Sequence, residues 1–508
     1  MEVKSENYER TAKELLEILR KNIIENQDKE LKKLGKEINI KELKEENGEV
    51  FFYIIVDKGI YKVNQDEIKY IGQQSEKSIK LDEGKLEFSN EIWQQGKANV
   101  TISSNTNYAI QYQINTTDGK WIIGTEVRGL LNGDIIYARL FNETDEGKIV
   151  SYEIKDLKEP EVATLTVGNT NSDKSIELSV VASDNESGVD KYEIYVNNEL
   201  VSTNASYKIT DMPFYKEYTC YVVVTDIAGN KKESNRVIAR NEEYISDEVD
   251  IKNFANTVNS GISFQGKTIT QIKDINLNCS NTNQWIPIGA STDKTFEGIY
   301  NGNKKTISNI YINSSSDYQG LFGFINGATI KDLGLISGTI TGKSLVGGIA
   351  ATAYNKSTIQ NCYNSNALNI TGTENYIAGI VAEIKGNSEI LDSYNKAFIK
   401  GNGFIAGVTA AASNGAKIDR CYNNGNISAN GQYVGGICGS LWINDSGIYC
   451  CYNTGNINNI GPSTGGIVGQ AASEVVDCYN KGIITSDSRK SCGNLRKYMV
   501  IWKCTYKL

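Results

Sequence analysis

Tyrosine is the residue type in this chain best placed to bind a ligand, because it recurs at a nearly fixed interval. It stands in a triplet that returns every 27 to 31 residues, with cysteine or serine before it and asparagine after it. Stacked phenol rings offer apolar faces and polar tips, which suit sugars or extended peptides. Tyrosine is also a good strand residue, so the column could serve only to stabilise the fold. The candidate ligand-binding residues are Tyr363, Tyr394, Tyr422, Tyr452 and Tyr479.

The 508 residues include no histidine. This removes the commonest general base and the commonest catalytic zinc ligand. Ser-His-Asp, Cys-His and His-Glu-x-x-His chemistries are therefore excluded. We predict that the chain is not an enzyme and that it has no catalytic residue, no metal site and no cofactor.

One enzyme class remains as an alternative, a β-helix polysaccharide lyase or glycosidase, because its chemistry can use carboxylates without histidine. Acidic residues are sparse in the repeats, but four of them fall at nearly equivalent positions before the triplet. Asn361 and Cys450 interrupt this column. Its members are Asp332, Asp392, Asp419 and Asp477.

Glycine and cysteine keep the same spacing as tyrosine, and a fixed period of this length indicates a solenoid. We predict that both sets are structural. Ser393 replaces the cysteine in one repeat, and buried reduced cysteines are favoured over disulfides between coils. The residues are Gly320, Gly323, Gly348, Gly379, Gly407, Gly436 and Gly466, with Cys362, Cys421, Cys451 and Cys478.

Each repeat contains three short apolar stretches, which are too short for helices. The stretches are rich in isoleucine, valine, threonine, glycine and asparagine, so the units predict three strands per coil and a parallel β-helix. Equivalent side chains then stack into columns about 4.8 Å apart. The pattern places Ile418 and Cys421 inside, Tyr422 outside and Asn423 at a corner.

The sequence Gly320-Leu-Phe-Gly323 resembles the motif of bacterial GLUG surface proteins. The resemblance covers a little less than half of the chain. It implies a pectin-lyase-like right-handed β-helix in a secreted or wall-associated protein, either an adhesin or the non-catalytic part of a large protease. The repeats at Gly379 and Gly407 depart from the motif because they lack its second glycine.

The front half reads as short strands separated by turn residues at intervals of about 8 to 12 residues, which predicts two β-sandwiches. Residues 184–189 and 225–230 resemble bacterial immunoglobulin-like or fibronectin-III-like modules. Asp184, Glu186 and Asp226 could hold calcium, or they could simply form turns.

Five segments are predicted along the chain. Residues 1–78 form an amphipathic helix and a small sheet, which resembles the soluble part of prepilin-like proteins or serves as a spacer. Residues 79–157 and 158–244 form the sandwiches, and 245–487 form the β-helix. Residues 488–508 do not follow the repeat pattern and are basic, which suggests a truncated or frame-shifted gene product.

The predicted fold class is therefore all-β dominated: a right-handed parallel β-helix solenoid preceded by two immunoglobulin-like β-sandwich domains and a small N-terminal helix with strands. The net charge of −8 argues against a nucleic-acid partner. The sequence shows neither an apolar stretch of membrane-spanning length nor a signal peptide, so we expect an export segment to precede Met1.

The predicted function is non-catalytic adhesion at the cell surface or outside the cell. The expected partners are a host or matrix glycan or protein, or a neighbouring cell surface. A structural stalk or cell-wall spacer without a specific ligand is the alternative that the sequence does not separate from adhesion.

Overall fold

The computed structural model describes residues 42–46, 49–56, 59–63, 68–73, 81–142, 145–442 and 445–486. These residues are mainly β-strands, with one α-helix and one 3₁₀ turn (Leu81–Glu83) among them. The predicted all-β class, with a parallel β-helix after two β-sandwiches, is confirmed for this part of the chain. The predicted N-terminal amphipathic helix and the tail at 488–508 lie outside the described residues.

The chain divides into two compact units. The first holds the described residues up to Thr166 together with 179–207 and 220–237. The second holds residues 167–178 and 208–219 and the described residues from 238 onward. The domain boundaries given above stay predictions.

A small antiparallel sheet comes first in the first unit, with its four strands in chain order. Its strands are β1 (Glu42–Glu46), β2 (Glu49–Val56), β3 (Gly59–Val63) and β4 (Ile68–Gln73).

The first sandwich is built from two antiparallel sheets, β5-β6-β9 and β11-β10-β7-β8. Alternation of apolar residues along β6 buries Val100 and Ile102, which join Ile136 and Leu140 of β10 in one core. Its strands are β5 (Leu86–Gln94), β6 (Lys97–Ser104), β7 (Ala109–Ile114), β8 (Ile122–Ile123), β9 (Glu126–Leu130), β10 (Ile135–Phe141) and β11 (Val150–Glu153).

The strands of the second sandwich form a three-stranded sheet, β12-β13-β16, and a five-stranded sheet of β14, β15, β17, β18 and β19. The strands are β12 (Val162–Val167), β13 (Ile176–Ser183), β14 (Val189–Val196), β15 (Glu199–Ser202), β16 (Ser206–Ile209), β17 (Glu217–Asp226), β18 (Lys231–Glu233) and β19 (Val237–Arg240).

The solenoid makes up most of the second unit, and its strands pair in parallel from one coil to the next. One sheet has 23 strands, and a second has six, in the order β25-β28-β32-β36-β40-β45. The first strands are β20 (Tyr244–Ile245), β21 (Thr268–Gln271), β22 (Ile275–Asn276), β23 (Ile299–Ser308), β24 (Ile310–Asn313), β25 (Phe322–Asn326), β26 (Thr329–Gly342), β27 (Val346–Gly347), β28 (Ala350–Tyr354), β29 (Thr358–Gln360), β30 (Tyr363–Gly372), β31 (Ile377–Ala378), β32 (Val381–Lys385), β33 (Glu389–Leu391) and β34 (Tyr394–Asn395).

The solenoid strands continue in the same pattern through the later repeats. They are β35 (Phe398–Ala406), β36 (Thr409–Ser413), β37 (Lys417–Asp419), β38 (Tyr422–Asn423), β39 (Ile427–Gly435), β40 (Cys438–Leu441), β41 (Gly447–Tyr449), β42 (Tyr452–Asn453), β43 (Ile457–Asn459), β44 (Ser463–Gly465), β45 (Val468–Ala471), β46 (Glu474–Val476), β47 (Tyr479–Asn480) and β48 (Ile484–Ser486).

Columns of isoleucine fill the interior of the solenoid. The strand register places one such residue of each coil on the next, and all members of this column are fully buried. Complete burial of one such side chain contributes roughly 1.5–3 kcal/mol. The column is Ile330, Ile359, Ile390, Ile418 and Ile448.

Helix α1 (Glu248–Asn259) covers the first coils of the solenoid. The side chain of Asp247 caps it by accepting a hydrogen bond from the Asp250 amide at 3.0 Å. Phe254, on its apolar face, contacts the rings of Phe296 and Tyr300. The helix thus buries apolar residues that would otherwise be exposed at this end of the solenoid.

Candidate binding face of the solenoid

The five predicted tyrosines form one continuous column on the outside of the solenoid. Their strands are in register, so each tyrosine pairs with the next. Successive ring centroids are 5.0, 4.5, 4.8 and 5.1 Å apart, and the ring planes differ by 5° to 11°. The first ring, Tyr363, lies over Gly334 of the preceding coil. The structure therefore offers a stack of parallel rings along the solenoid axis.

Buried cysteines immediately precede the tyrosines and fix that side of the column. Cys362, Cys421 and Cys451 are fully buried, and Cys478 nearly so. The Cys421 amide donates to the sulfur of Cys451 at 3.3 Å, and Ser393 fills the gap in the column by accepting from the Cys362 amide at 3.1 Å. The cysteines in the described part of the chain are free thiols.

Buried asparagines follow the tyrosines and form a hydrogen-bonded ladder. Asn423 donates from Nδ2 to Oδ1 of Asn453 at 2.8 Å and to the Gly425 carbonyl at 2.9 Å. Its Oδ1 accepts from Nδ2 of Asn395 at 2.9 Å. These amides satisfy one another inside the coil and hold each tyrosine between two fixed neighbours.

The repeated glycines allow the asparagine ladder to approach the backbone closely. A Cβ on Gly348, Gly379, Gly407, Gly436 or Gly466 would meet the stacked asparagine of its own coil at 2.6 Å or less. Gly320 differs, because the bridge between Gln319 and Val346 aligns it with Gly347. A Cβ on Gly323 would meet the Gly289 carbonyl oxygen at 2.5 Å.

The acidic column is not continuous in the structure. Asp392 has a positive φ and forms a corner of its coil. Asp419 aligns with Leu391, one residue earlier, and Arg420 has the positive φ at the corner of the next coil. Arg420 binds Asp392 through two hydrogen bonds of 2.6 and 3.0 Å. The predicted row of four carboxylates is thus broken by an arginine and by an internal ion pair.

Two lysines lie close to rings of the tyrosine column. The ammonium of Lys396 lies 5.1 Å from the ring centroid of Tyr394, and that of Lys481 lies 5.4 Å from the ring centroid of Tyr479. Both lysines are exposed. The face therefore combines aromatic rings with cations that a ligand can reach.

Partial burial raises the pKa values of the three middle tyrosines of the column. The pKa of Tyr422 is raised to about 12 by burial and by the neighbouring Tyr394 and Tyr452. The pKa values of Tyr394 and Tyr452 are also raised, chiefly by burial. An unfolded tyrosine ionises near pH 10, so the folded column holds its protons more tightly than the unfolded chain does.

We expect the solenoid to lose stability as the pH rises from about 10 towards 12. The stabilisation is complete below the pKa of unfolded tyrosine and disappears as the pH passes the raised pKa of the folded column. The β-sheet circular dichroism should be lost above pH 10, together with the part of the phenolate absorbance that the Tyr422→Phe variant lacks. The Tyr422→Phe variant should lose less stability over this range. Ionisation of the column near pH 10 with the fold intact would contradict the expectation.

A second aromatic column, which the sequence analysis missed, lies elsewhere on the solenoid. Ring centroids of Tyr376 and Phe404 are 4.9 Å apart, and those of Phe404 and Tyr433 are 5.0 Å apart. Each of these residues stands three positions before a repeated glycine, and that spacing was visible in the sequence.

Comparisons with known proteins give partial similarities and do not assign the chain to a family. No family model matches the chain. A segment of 145 residues is 30% identical to Halomucin of Haloquadratum walsbyi. The match covers 27% of this chain and 2% of that protein. The chain thus spans a very small part of this relative.

Two similar solved structures carry the name of a protease. One, from Bacteroides ovatus and named as a candidate immunoglobulin A1 protease, is 20% identical and has a TM-score of 0.42, covering 49% of this chain and 79% of that one. The other, IgA1 protease, is 14% identical and has a TM-score of 0.35, covering 78% of this chain and 29% of that one.

These similarities contradict the prediction that the chain is not an enzyme, and that prediction is withdrawn. At such low identity and TM-score they assign no protease activity or substrate to this chain. The comparisons also contain no match to the GLUG motif. In the described residues, no helix is long and apolar enough to cross a membrane.

Proposed function

We propose that this chain is part of an extracellular or cell-surface bacterial protein whose β-helix binds an extended glycan or peptide along the tyrosine column. The observation that carries the proposal is the stack of five parallel rings at spacings of 4.5 to 5.1 Å. A linear ligand lying along the solenoid axis would meet ring after ring.

The rigidity of the column supports binding. Each tyrosine follows a buried cysteine or serine, and the first four also precede a buried asparagine, so the backbone that carries the rings is already ordered. A ligand would therefore bind without first ordering the surface, which lowers the entropic cost of association. Tyrosine also supplies a large contact area at a low cost in side-chain entropy.

The chemistry of the flanks supports a polar ligand. Lys396 and Lys481 lie beside the rings, and the tyrosines, which are at most partly buried, carry phenol hydroxyls that can donate and accept hydrogen bonds. The similarity to Halomucin supports an extracellular location. Host or matrix glycans and proteins, and neighbouring cell surfaces, remain the partners we propose.

The test is binding of the full chain to glycan and matrix-protein arrays. The triple variant Tyr394→Ser, Tyr422→Ser, Tyr452→Ser should bind at least tenfold more weakly, because it removes three stacked rings. A triple phenylalanine variant at the same positions should retain most of the binding if contact with the ring edges dominates and lose it if the hydroxyls dominate.

The second aromatic column provides a matched control. The triple variant Tyr376→Ser, Phe404→Ser, Tyr433→Ser removes as many rings from the same solenoid and should bind like the wild type. Circular dichroism must show an intact β-fold in every variant. Absence of binding by the wild type across the arrays, or equal loss in both serine variants, would overturn the proposal in favour of a structural stalk.

A further inference from the structure

Three carboxylates converge in the first unit, away from the solenoid. Asp156 follows β11, Asp184 follows β13, and Asp226 ends β17. One carboxylate oxygen of each lies within 4.8 Å of the other two. Asp156 and Asp226 are only 3% and 1% exposed. The fold therefore brings two buried carboxylates together with the partly buried Asp184.

Hydrogen bonds hold two of these carboxylates in place. Asp156 accepts from the amide of Ser187 at 3.1 Å and from its hydroxyl at 2.6 Å. Asp226 accepts from the amide and the side chain of Asn230 at 2.8 and 2.9 Å. These neutral donors fix the positions of the carboxylates but do not neutralise their charge.

Asp184 supplies a second observation that points to a ligand. Its Oδ2 accepts from the Gly188 amide at 2.6 Å. Its Oδ1 is completely buried and has no hydrogen-bond partner. A buried carboxylate oxygen without a partner is costly, so it needs a proton or a cation.

The charged groups around the cluster do not supply that cation. Lys158 forms an ion pair with Glu186, a buried carboxylate next to Asp156. Glu161 adds a further negative charge, since its carboxylate accepts a hydrogen bond from the amide of Asn185 at 2.9 Å. The balance of charge near the three aspartates is therefore negative.

We propose that Asp156, Asp184 and Asp226 bind a calcium ion. The ligands are all carboxylate oxygen atoms, which suit a hard cation, and their uneven arrangement fits the flexible coordination of calcium better than the strict octahedron of magnesium. An affinity in the range of about 10⁻⁴ to 10⁻³ M, typical of extracellular modules, is expected.

The site has a mechanical consequence because its ligands come from distant parts of the sequence. Asp156 lies in the segment after the last strand of the first sandwich, whereas Asp184 and Asp226 follow and end strands of the second. A bound ion would hold this connecting segment against the second sandwich. Calcium would thereby stiffen the connection between the two sandwiches.

The test uses the full chain, freed of divalent ions with a chelator and then titrated with calcium or with magnesium. Calorimetry should show that one calcium ion binds per chain, and the melting temperature should rise. The affinity for magnesium should be at least tenfold weaker. Asp184→Asn should weaken calcium binding at least tenfold and keep the fold, because it alters the oxygen that has no partner. Glu177→Gln, at an exposed position of β13, should bind calcium like the wild type.

Hydrogen exchange provides the readout besides affinity. Calcium should protect residues 154–160 and 184–188 in the wild type and not in Asp184→Asn. Absence of calcium binding at millimolar concentration, equal binding by Asp184→Asn, or equal affinity for magnesium would overturn the proposal.

Discussion

Replacing Gly436 by alanine is expected to open the solenoid locally and to cost about 4 kcal/mol or more of stability. A Cβ at this position would lie 2.1 Å from the Gly466 carbonyl oxygen and 2.5 Å from Cγ of Asn453. Both contacts are too short, and neither partner can move freely, since one is backbone and the other belongs to the asparagine ladder. The new methyl group would therefore separate two coils.

Hydrogen exchange is the measurement, because it reports on each coil separately. Residues 434–470 should lose protection in Gly436→Ala while the two sandwiches keep theirs. Gly124→Ala is the control, since its Cβ would meet only the Tyr112 ring, at an ordinary 3.4 Å. Wild-type protection throughout the Gly436→Ala solenoid would show that the coils can shift to accept the methyl group.

Truncating Phe254 to alanine should have an effect of similar size, about 3–5 kcal/mol. Its side chain is fully buried, and its ring lies 5.3 to 5.8 Å from those of Phe214, Phe264, Phe296 and Tyr300. The loss would detach helix α1 from the first coils, and solenoids depend on such caps.

The first coils, from Thr268 to Asn313, should then exchange faster and become sensitive to protease. Val249→Ala in the same helix is the matched control, because Val249 is 59% exposed and its truncation should change stability by less than about 0.5 kcal/mol. If Phe254→Ala melts like Val249→Ala, the helix does not act as a cap.

The periodic part of the fold was readable from the sequence because its register is carried by repeated side chains. The Cys-Tyr-Asn triplets align coil on coil as expected, and the alternation around Ile418 and Tyr422 correctly separates interior from exterior. In a parallel solenoid, equal spacing in the sequence leads directly to stacking in space. This relation holds wherever the period is regular.

Helix α1 was missed although its signals were present. Asp247 is a good N-cap, and Ile251, Phe254, Ala255 and Val258 follow helical spacing and are all buried. The predicted solenoid begins near this point, with strands in place of the helix. A short helix at the edge of a repeat array is hidden by the stronger β-pattern beside it.

The role of Asp156 could not be predicted, since tertiary structure alone brings it to Asp184 and Asp226. The sequence drew attention to Asp184, Glu186 and Asp226, but Glu186 pairs with Lys158 instead. Likewise, Asp419 was predicted in the acidic column at the place that Arg420 takes. Asp419 lies one residue earlier in the register, and such a shift cannot be seen without the strand pairing.

The coil-by-coil register has an evolutionary consequence. Each tyrosine, cysteine and asparagine contacts its counterparts in the adjoining coils, so a repeat of 27 to 31 residues is a complete unit of structure and of surface. Duplication or loss of one such unit in the gene would lengthen or shorten the aromatic track by one ring and leave the rest in register. The length of the tyrosine column can therefore evolve stepwise through recombination between repeats, without redesign of any single contact.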